Sequence, residues 1–246
     1  MQTNNAPAYN VKIGGMEFTQ TKPQGLEHLT IEDDLEKIGR AEFSFRSGGG
    51  ANAAFSNFQV GGTVEVKVGG GDRLMFSGTI TEVNHGKAKG ANTCIVVAMD
   101  PLYKAATTQS ERTWEEKTDG DIVKEVLGNY PMGTVDATDF TNKYMHQRNE
   151  KDYAFLRRLA SRNGYFLYCN EGKIDFVKPQ QGSGGLEITK DNVIDFNYEN
   201  TPKQIPSNVI VEGWDYNTKQ KVVGNASEGD VIKIGSGELA LGDSER

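Results

Sequence analysis

The sequence predicts a β-rich α+β protein, and three observations carry that prediction. Only 36% of the 246 residues are hydrophobic while 29 are glycine, a balance that suits short strands and tight turns better than a helical bundle. Through residue 105 apolar positions recur with a period of two. Between residues 106 and 180 the period lengthens and helical stripes enter.

Residues 9–13 and 16–18 flank Gly14-Gly15, whose missing side chains permit the positive φ of a two-residue hairpin. Residues 26–33 and 41–45 offer the next pair of strands, with Phe43 and Phe45 on one face. Small residues dominate 47–54, which reads as a long loop. Val64, Val66 and Val68 alternate with Glu65 and Lys67, the pattern of a half-buried strand wetted on one side. Gly69-Gly70-Gly71-Asp72 turns the chain into a strand over 74–83, and His85 falls in a surface hairpin. A strand over 93–99 then closes a barrel or sandwich ahead of Asp100-Pro101-Leu102.

Two helices are expected next. Thr118-Asp119-Gly120-Asp121 resembles a capping box, and Ile122, Val123, Val126 and Leu127 form a stripe that Gly128-Asn129 ends. Phe155, Leu156, Leu159 and Ala160 repeat that stripe, with Arg157, Arg158 and Arg162 elsewhere on the wheel. Asn149, three residues before Asp152, is the expected N-cap; Arg162 suits the negative end, and Asn163-Gly164 a left-handed C-cap. The helix feeds directly into a strand over 165–169, which turns at Asn170-Glu171-Gly172 into 173–179. Residues 180–185 have a linker's composition, and strands are expected again at 186–188, 193–198 and 208–214, continuing near 222–226. No fixed-period repeat points to a solenoid or propeller.

The run Gln147, Asp152-Tyr153, Phe155-Leu156, Arg158-Leu159-Ala160 and Gly164-Tyr165 resembles the signature of one family: the hub domain of baseplate hub proteins of contractile phage tails and of VgrG-type spike proteins of type VI secretion and related injection particles. A second segment, Gly213-Trp214-Asp215 followed by Lys219-Gln220, resembles the same family's strand-turn element. Neither motif is catalytic, so the resemblance implies a structural protein with no catalytic, cofactor or metal residues. It implies two hub β-barrels, residues 1–105 and 181–246, around an α/β insert over 106–180, with strands of the insert available to complete the second barrel and most of a spike lacking. Such chains would form a homotrimer, a pseudo-sixfold ring that adapts a hexameric tail tube to a trimeric spike and transmits contraction force. The expected partners are the tail tube ring, a spike or spike tip and baseplate wedge proteins, with neither nucleic acid nor, at rest, a membrane.

Composition narrows the rival functions. A net charge of −7, from 34 acidic and 27 basic side chains, disfavours nonspecific binding to nucleic acid or anionic lipid. No apolar run approaches the roughly 20 residues of a membrane helix, and the first residues lack the pattern of a secretory signal, so assembly in the cytoplasm is expected before the particle acts outside. Cys94 and Cys169 lie in apolar strands and read as small hydrophobes. His28, His85 and His146 are widely separated, with no His-Glu-x-x-His or Cys-x-x-Cys, which argues against zinc. Neither a Gly-x-Ser-x-Gly elbow nor a phosphate-binding loop is present; Gly69-Gly70-Gly71 precedes a strand, without the helix N-terminus that binds phosphate. Glu32-Asp33-Asp34 and Glu115-Glu116 read as solvated turns or helix approaches; Arg157-Arg158 reads as the wet side of a helix or a basic face that docks an acidic partner, the former favoured, and Trp214 as strand core, favoured over an interface anchor. Two other readings remain: a tail-associated cell-wall hydrolase or effector, and a glycan-binding adhesive domain that would use Trp114 or Tyr144.

Overall fold

A computed structural model describes residues 8–47, 55–69, 73–180 and 208–227. The chain divides into two compact units, Met1–Lys178 and Pro179–Arg246. The first unit opens with a seven-stranded antiparallel sheet built from β1 (Tyr9–Ile13), β2 (Met16–Thr19), β3 (Leu26–Glu32), β4 (Arg40–Arg46), β5 (Thr63–Val68), β6 (Leu74–Ala88) and β7 (Ala91–Met99). Its spatial order is β2-β1-β5-β6-β7-β4-β3.

That order forces curvature. β2 and β3 are consecutive in the chain yet occupy opposite edges. Laid flat, seven strands would hold those edges about 29 Å apart. The six-residue link between them reaches at most about 25 Å when stretched, and backbone hydrogen bonds between Thr19 and Lys22 and from Leu26 N–H to Pro23 O shorten it further. The sheet therefore curls into a half-barrel. Inside it, Phe18 and Phe45 pack with tilted rings at 5.1 Å and Phe45 and Phe58 at 4.9 Å, surrounded by buried Val11, Ile13, Val64, Val66 and Val96.

The expected hairpins are present. Gly14 and Gly15 adopt φ of +55° and +85°, the pair of left-handed conformations that matches the strand twist. His85 lies on the exposed arm of the β6–β7 hairpin, whose turn comes later, at Lys89-Gly90. Most of the expected loop over 47–54 and Gly70-Gly71-Asp72 lie outside the described residues, as do the strands expected at 186–188 and 193–198.

A second core follows in the same unit. It contains α1 (Leu102–Thr107), β8 (Gln109–Thr118), α2 (Asp119–Leu127), β9 (Met132–Val135), β10 (Thr141–Lys151), α3 (Asp152–Asn163), β11 (Phe166–Asn170) and β12 (Lys173–Val177). Three helices stand where two were expected. The additional one, α1, begins at Asp100-Pro101: the Asp100 carboxylate accepts from Leu102 N–H at 2.8 Å, and the proline needs no N–H in a first turn. β8 pairs antiparallel with β10, while β12 pairs antiparallel with β11 and parallel with β9. Leu102, Ile122, Val126, Leu156, Leu159 and Phe176 are fully buried between these layers. Trp114, a candidate glycan platform in the sequence, is 6% exposed and stacks on Phe155 at 5.3 Å with rings 14° apart, so it is core.

Short contacts join the two cores. Ile38, from the loop after β3, packs against the helical core, and Tyr153 OH donates to Glu36 O at 3.2 Å. Buried Asp100 accepts from Gly39 N–H at 2.7 Å, and its own N–H donates to Gly39 O. A Cβ on Gly39 would lie 2.9 Å from that carboxylate, so the close approach requires glycine.

In the second unit, β13 (Asn208–Asp215) and β14 (Gln220–Ser227) form an antiparallel hairpin. Asp215 builds its turn by accepting from Asn217 N–H and Thr218 OH, both at 2.8 Å, and Lys219 takes the left-handed φ of +55°. Trp214 is 56% exposed on this hairpin, directly opposite Lys221, which corrects the favoured reading of it as core.

Candidate functional site

The first sequence motif coincides with α3, and the structure shows why its residue types are needed. α3 is fastened at both ends by a buried carboxylate. Near its start the β8–β10 ladder loses register between Gln147 and Glu150, with Asn149 at φ +46°. This bulge turns Gln147 inward, fully buried. Its amide donates to Asp152 Oδ1 at 2.7 Å and to Glu150 O at 3.1 Å. Asp152, the first residue of the helix, is also fully buried and accepts from Tyr130 OH at 2.7 Å and from both Nη atoms of Arg112 at 3.3 Å. Burial alone would raise the Asp152 carboxyl. Hydrogen bonds from Gln147, Tyr130 and Ser110, with the charge of Arg112, outweigh it and hold the group below the usual carboxylate range.

Asn149 is therefore not the N-cap. Lys151 precedes the helix in extended conformation without a side-chain cap, and the Asp152 N–H goes instead to Thr108 O at 3.0 Å. Left-handed Asn149 makes the bulge that aims Gln147, so the structure puts a strand irregularity where the spacing suggested a cap.

The far end of α3 carries the second fastening. Arg162 forms an ion pair with Asp119, the first residue of α2, and donates to Asn142 Oδ1 at 2.7 Å. Asn142 and Asn163 donate to the same carboxylate at 2.8 and 2.6 Å. Burial pushes the Asp119 carboxyl up, but Arg162, Asn163 and Asn142 together bring it below its ordinary value. Since Tyr130 follows α2 and reaches the start of α3, while Asp119 starts α2 and meets the end of α3, the two helices run antiparallel.

The remaining motif residues lock the helix laterally and end it. Phe155, Leu156, Leu159 and Ala160 are buried in the core. Arg158 bonds Glu150 at 2.6 Å and lies 5.0 Å from the Phe155 ring centre. Gly164 takes φ +65°, its N–H donates to Ser161 O and the Tyr165 N–H to Ala160 O, a Schellman termination. Tyr165 then packs on Phe176 at 5.2 Å and donates its hydroxyl to Ala137 O at 2.9 Å. Gly213, Trp214, Asp215, Lys219 and Gln220 belong to the β13–β14 hairpin, where Asp215 pairs with Gln220.

Sequence reasoning missed Arg112, Tyr130, Asn142 and the buried role of Asp119. Arg112 had a signal: it alternates with Ser110 and Trp114 on the inward side of a strand, an unusual place for an unpaired charge. Asp119 was hidden inside a plausible cap. Thr118 does cap α2, accepting from Asp121 N–H at 3.2 Å.

Where Gly39 meets Asp100, away from these fastenings, Asp33, Arg73, Asp100 and Cys169 line a polar cavity of about 110 Å³. Burial raises Asp100 to about 6 against the pull of the Gly39 and Leu102 N–H groups, and raises the Cys169 thiol so that it stays protonated and poorly nucleophilic. Among the described residues no group of three or more His, Cys, Asp or Glu side chains could hold a metal ion. At the two ends of α3, buried carboxylates saturated by donors of the same chain hold the helix against β10 and α2.

Comparison with known proteins agrees with this fold. The chain is 25% identical over 196 residues to a probable baseplate hub protein of Escherichia phage 186, covering 72% of this chain and 46% of that protein, so it spans less than half of that relative. Its fold matches the 43 kDa tail protein of prophage MuSo2 from Shewanella oneidensis with a TM-score of 0.69 at 16% identity, over 92% of this chain and 70% of the other. It matches a tail protein from Neisseria meningitidis MC58 with a TM-score of 0.58 at 16% identity, over 90% and 67%. A component of the Escherichia coli type VI secretion system matches at 0.50 and 16% identity, over 84% and 56%. The resemblance seen in the sequence thus holds at the level of fold, that of a baseplate hub-like domain. The model of the Alg8 N-terminal domain matches residues 3–240, and the chain belongs to that family.

Proposed function

We propose that this chain is a noncatalytic structural subunit of the baseplate hub in a contractile injection apparatus. Three copies form a ring in which residues 1–105 and 181–246 each supply a barrel and residues 106–180 pack beside them. Threefold true symmetry with sixfold pseudosymmetry lets one ring meet a hexameric tail tube on one side and a trimeric spike on the other. The carrying observation is the pairing of a curled seven-stranded sheet with a helix fastened at both ends, in a fold shared with phage tail proteins. A subunit that transmits contraction force needs interior contacts that do not slip, and buried, saturated ion pairs give one defined arrangement.

In this reading the partners are the tail tube ring, a spike or spike tip and the wedge proteins around it, in a particle assembled in the cytoplasm before it acts outside. The test is mass in solution together with images of the purified particle. A trimer located at the junction of tube and spike is expected. A strict monomer absent from that junction would reject the proposal.

A further inference from the structure

We propose that Asn163-Gly164, at the end of α3, is a modification site: the Asn163 amide deamidates when the Arg162–Asp119 fastening opens, and the acid left behind keeps that fastening from closing again. Asn-Gly is prone to this reaction because glycine has no side chain to hinder its own backbone nitrogen as it turns onto the preceding carboxamide. The dipeptide occurs once in the 246 residues. In the reaction the Gly164 nitrogen bonds to Asn163 Cγ and the Cγ–Nδ2 bond breaks; Nδ2 takes up the Gly164 amide proton and leaves as ammonia. Water then opens the cyclic imide at either carbonyl, giving aspartate or isoaspartate.

The fastened end arrests each participant. Asn163 Nδ2 donates to Asp119 Oδ2 at 2.6 Å and to Leu159 O at 2.8 Å, which holds the carboxamide against α2 and its own helix. The Gly164 N–H, whose proton must be lost before the nitrogen can attack, donates to Ser161 O at 3.2 Å. Asn163 is the last residue of α3, and ring closure requires its ψ to leave the helical range. One local opening releases all three restraints, and the end of a helix opens at a free-energy cost below that of global unfolding. The product then works against reclosure. An aspartate at 163 has no proton to donate and sets a second carboxylate beside Asp119, which is 2% exposed and held ionised by Arg162. Leu159 O loses the same donor, and isoaspartate also lengthens the main chain inside the turn that Gly164 and Tyr165 close. The fastening of Gln147 and Asp152 at the other end of α3 uses none of these atoms.

The experiment holds the full chain at mildly alkaline pH, folded in buffer or unfolded in urea, and follows the peptide containing Asn163 by mass spectrometry for the gain of an acid over an amide. Conversion should be rapid in urea and at least about tenfold slower in the folded chain, the factor that a local opening of modest cost imposes. Arg162→Lys keeps the charge but loses the fork that holds Asp119, so the folded variant should convert severalfold faster than wild type. No conversion in urea, or equal rates folded and unfolded, overturns the proposal, and both readouts stand even where the Arg162 variant does not fold. A folded Arg162→Lys variant that converts no faster than wild type overturns the gating by this fastening. The effect of the product is tested with Asn163→Asp against Ser161→Asp, which places the same charge at an exposed position of the same helix turn. At pH 7 Asn163→Asp should unfold at lower urea than Ser161→Asp, and the gap should narrow as pH falls through the carboxylate range. Equal midpoints at pH 7 overturn the claim that the new carboxylate bars reclosure.

Discussion

The β8–β10 and β13–β14 ribbons are both two-stranded and antiparallel, with strands of 8 to 11 residues, yet they meet opposite surroundings. In the first, Trp114, Met145 and Gln147 point into the helical core and are 9% exposed or less. In the second, Val211 and Trp214 are more than half exposed. Backbone pairing is continuous in the second and broken by the bulge between Gln147 and Glu150 in the first, so the better-paired ribbon is the more exposed one and pairing is not what buries a ribbon. The difference is tertiary cover: α2 and α3 seal one face of β8–β10, and buried carboxylates fix those helices in register. The same residue type reports the contrast, since Trp114 stacks on Phe155 and donates to Glu125 at 2.9 Å, while Trp214 stands directly opposite Lys221 and is 56% exposed.

Breaking the seal should give the largest effect. Asp152→Ala leaves Arg112 and Gln147 facing each other without their shared acceptor, and removing one member of a buried charge network costs about 3–5 kcal/mol. Urea unfolding of the variant should show that loss, and a change below about 1 kcal/mol would mean that the network is not what holds α3. The pH dependence separates the two kinds of buried acid. Asp152 and Asp119 are depressed, so their stabilisation is present above the unfolded carboxylate pKa and is lost as pH falls through their lower folded values. Asp100 is raised to about 6, so the folded state binds its proton first and this group adds stability as pH falls from 7 toward 4. Between pH 7 and pH 5 the gain from this group should be on the order of 1 kcal/mol. Asp100→Asn should abolish that slope, and equal slopes in the two proteins would refute the assignment.

Much of this was legible in the sequence, where the signals were local. Glycines wrote the first hairpin, the two-plus-two stripes wrote α2 and α3, and Asn163-Gly164 wrote the end of α3. Each depends on residues a few positions apart. The site was legible only in part, because Gln147 and Asp152 gain meaning from Arg112 and Tyr130, and Arg162 from Asp119, which is 43 residues away. No periodicity connects such pairs. α1 was missed for a different reason: a six-residue helix shows less than two turns of pattern, and its signal was the Asp100-Pro101 cap alone. Trp214 was misread because a β-strand pattern shows which residues share a face but not whether anything lies against it.

Two smaller effects sharpen the comparison. Gly164→Ala should cost about 1 kcal/mol in thermal or urea unfolding, because alanine disfavours the φ of +65° that ends α3 although a Cβ there meets no neighbour within 4 Å. The smallest effect should come from Trp214→Ala. An exposed side chain forfeits little burial on truncation, so folding stability of the full chain should change by less than about 0.5 kcal/mol, whereas truncating a buried aromatic such as Trp114 costs about 3–5 kcal/mol. Measured side by side in urea, the two tryptophan variants compare one residue type on two ribbons. A loss at Trp214 as large as that at Trp114 would show that the second ribbon has a cover of its own, and the contrast between the two would disappear.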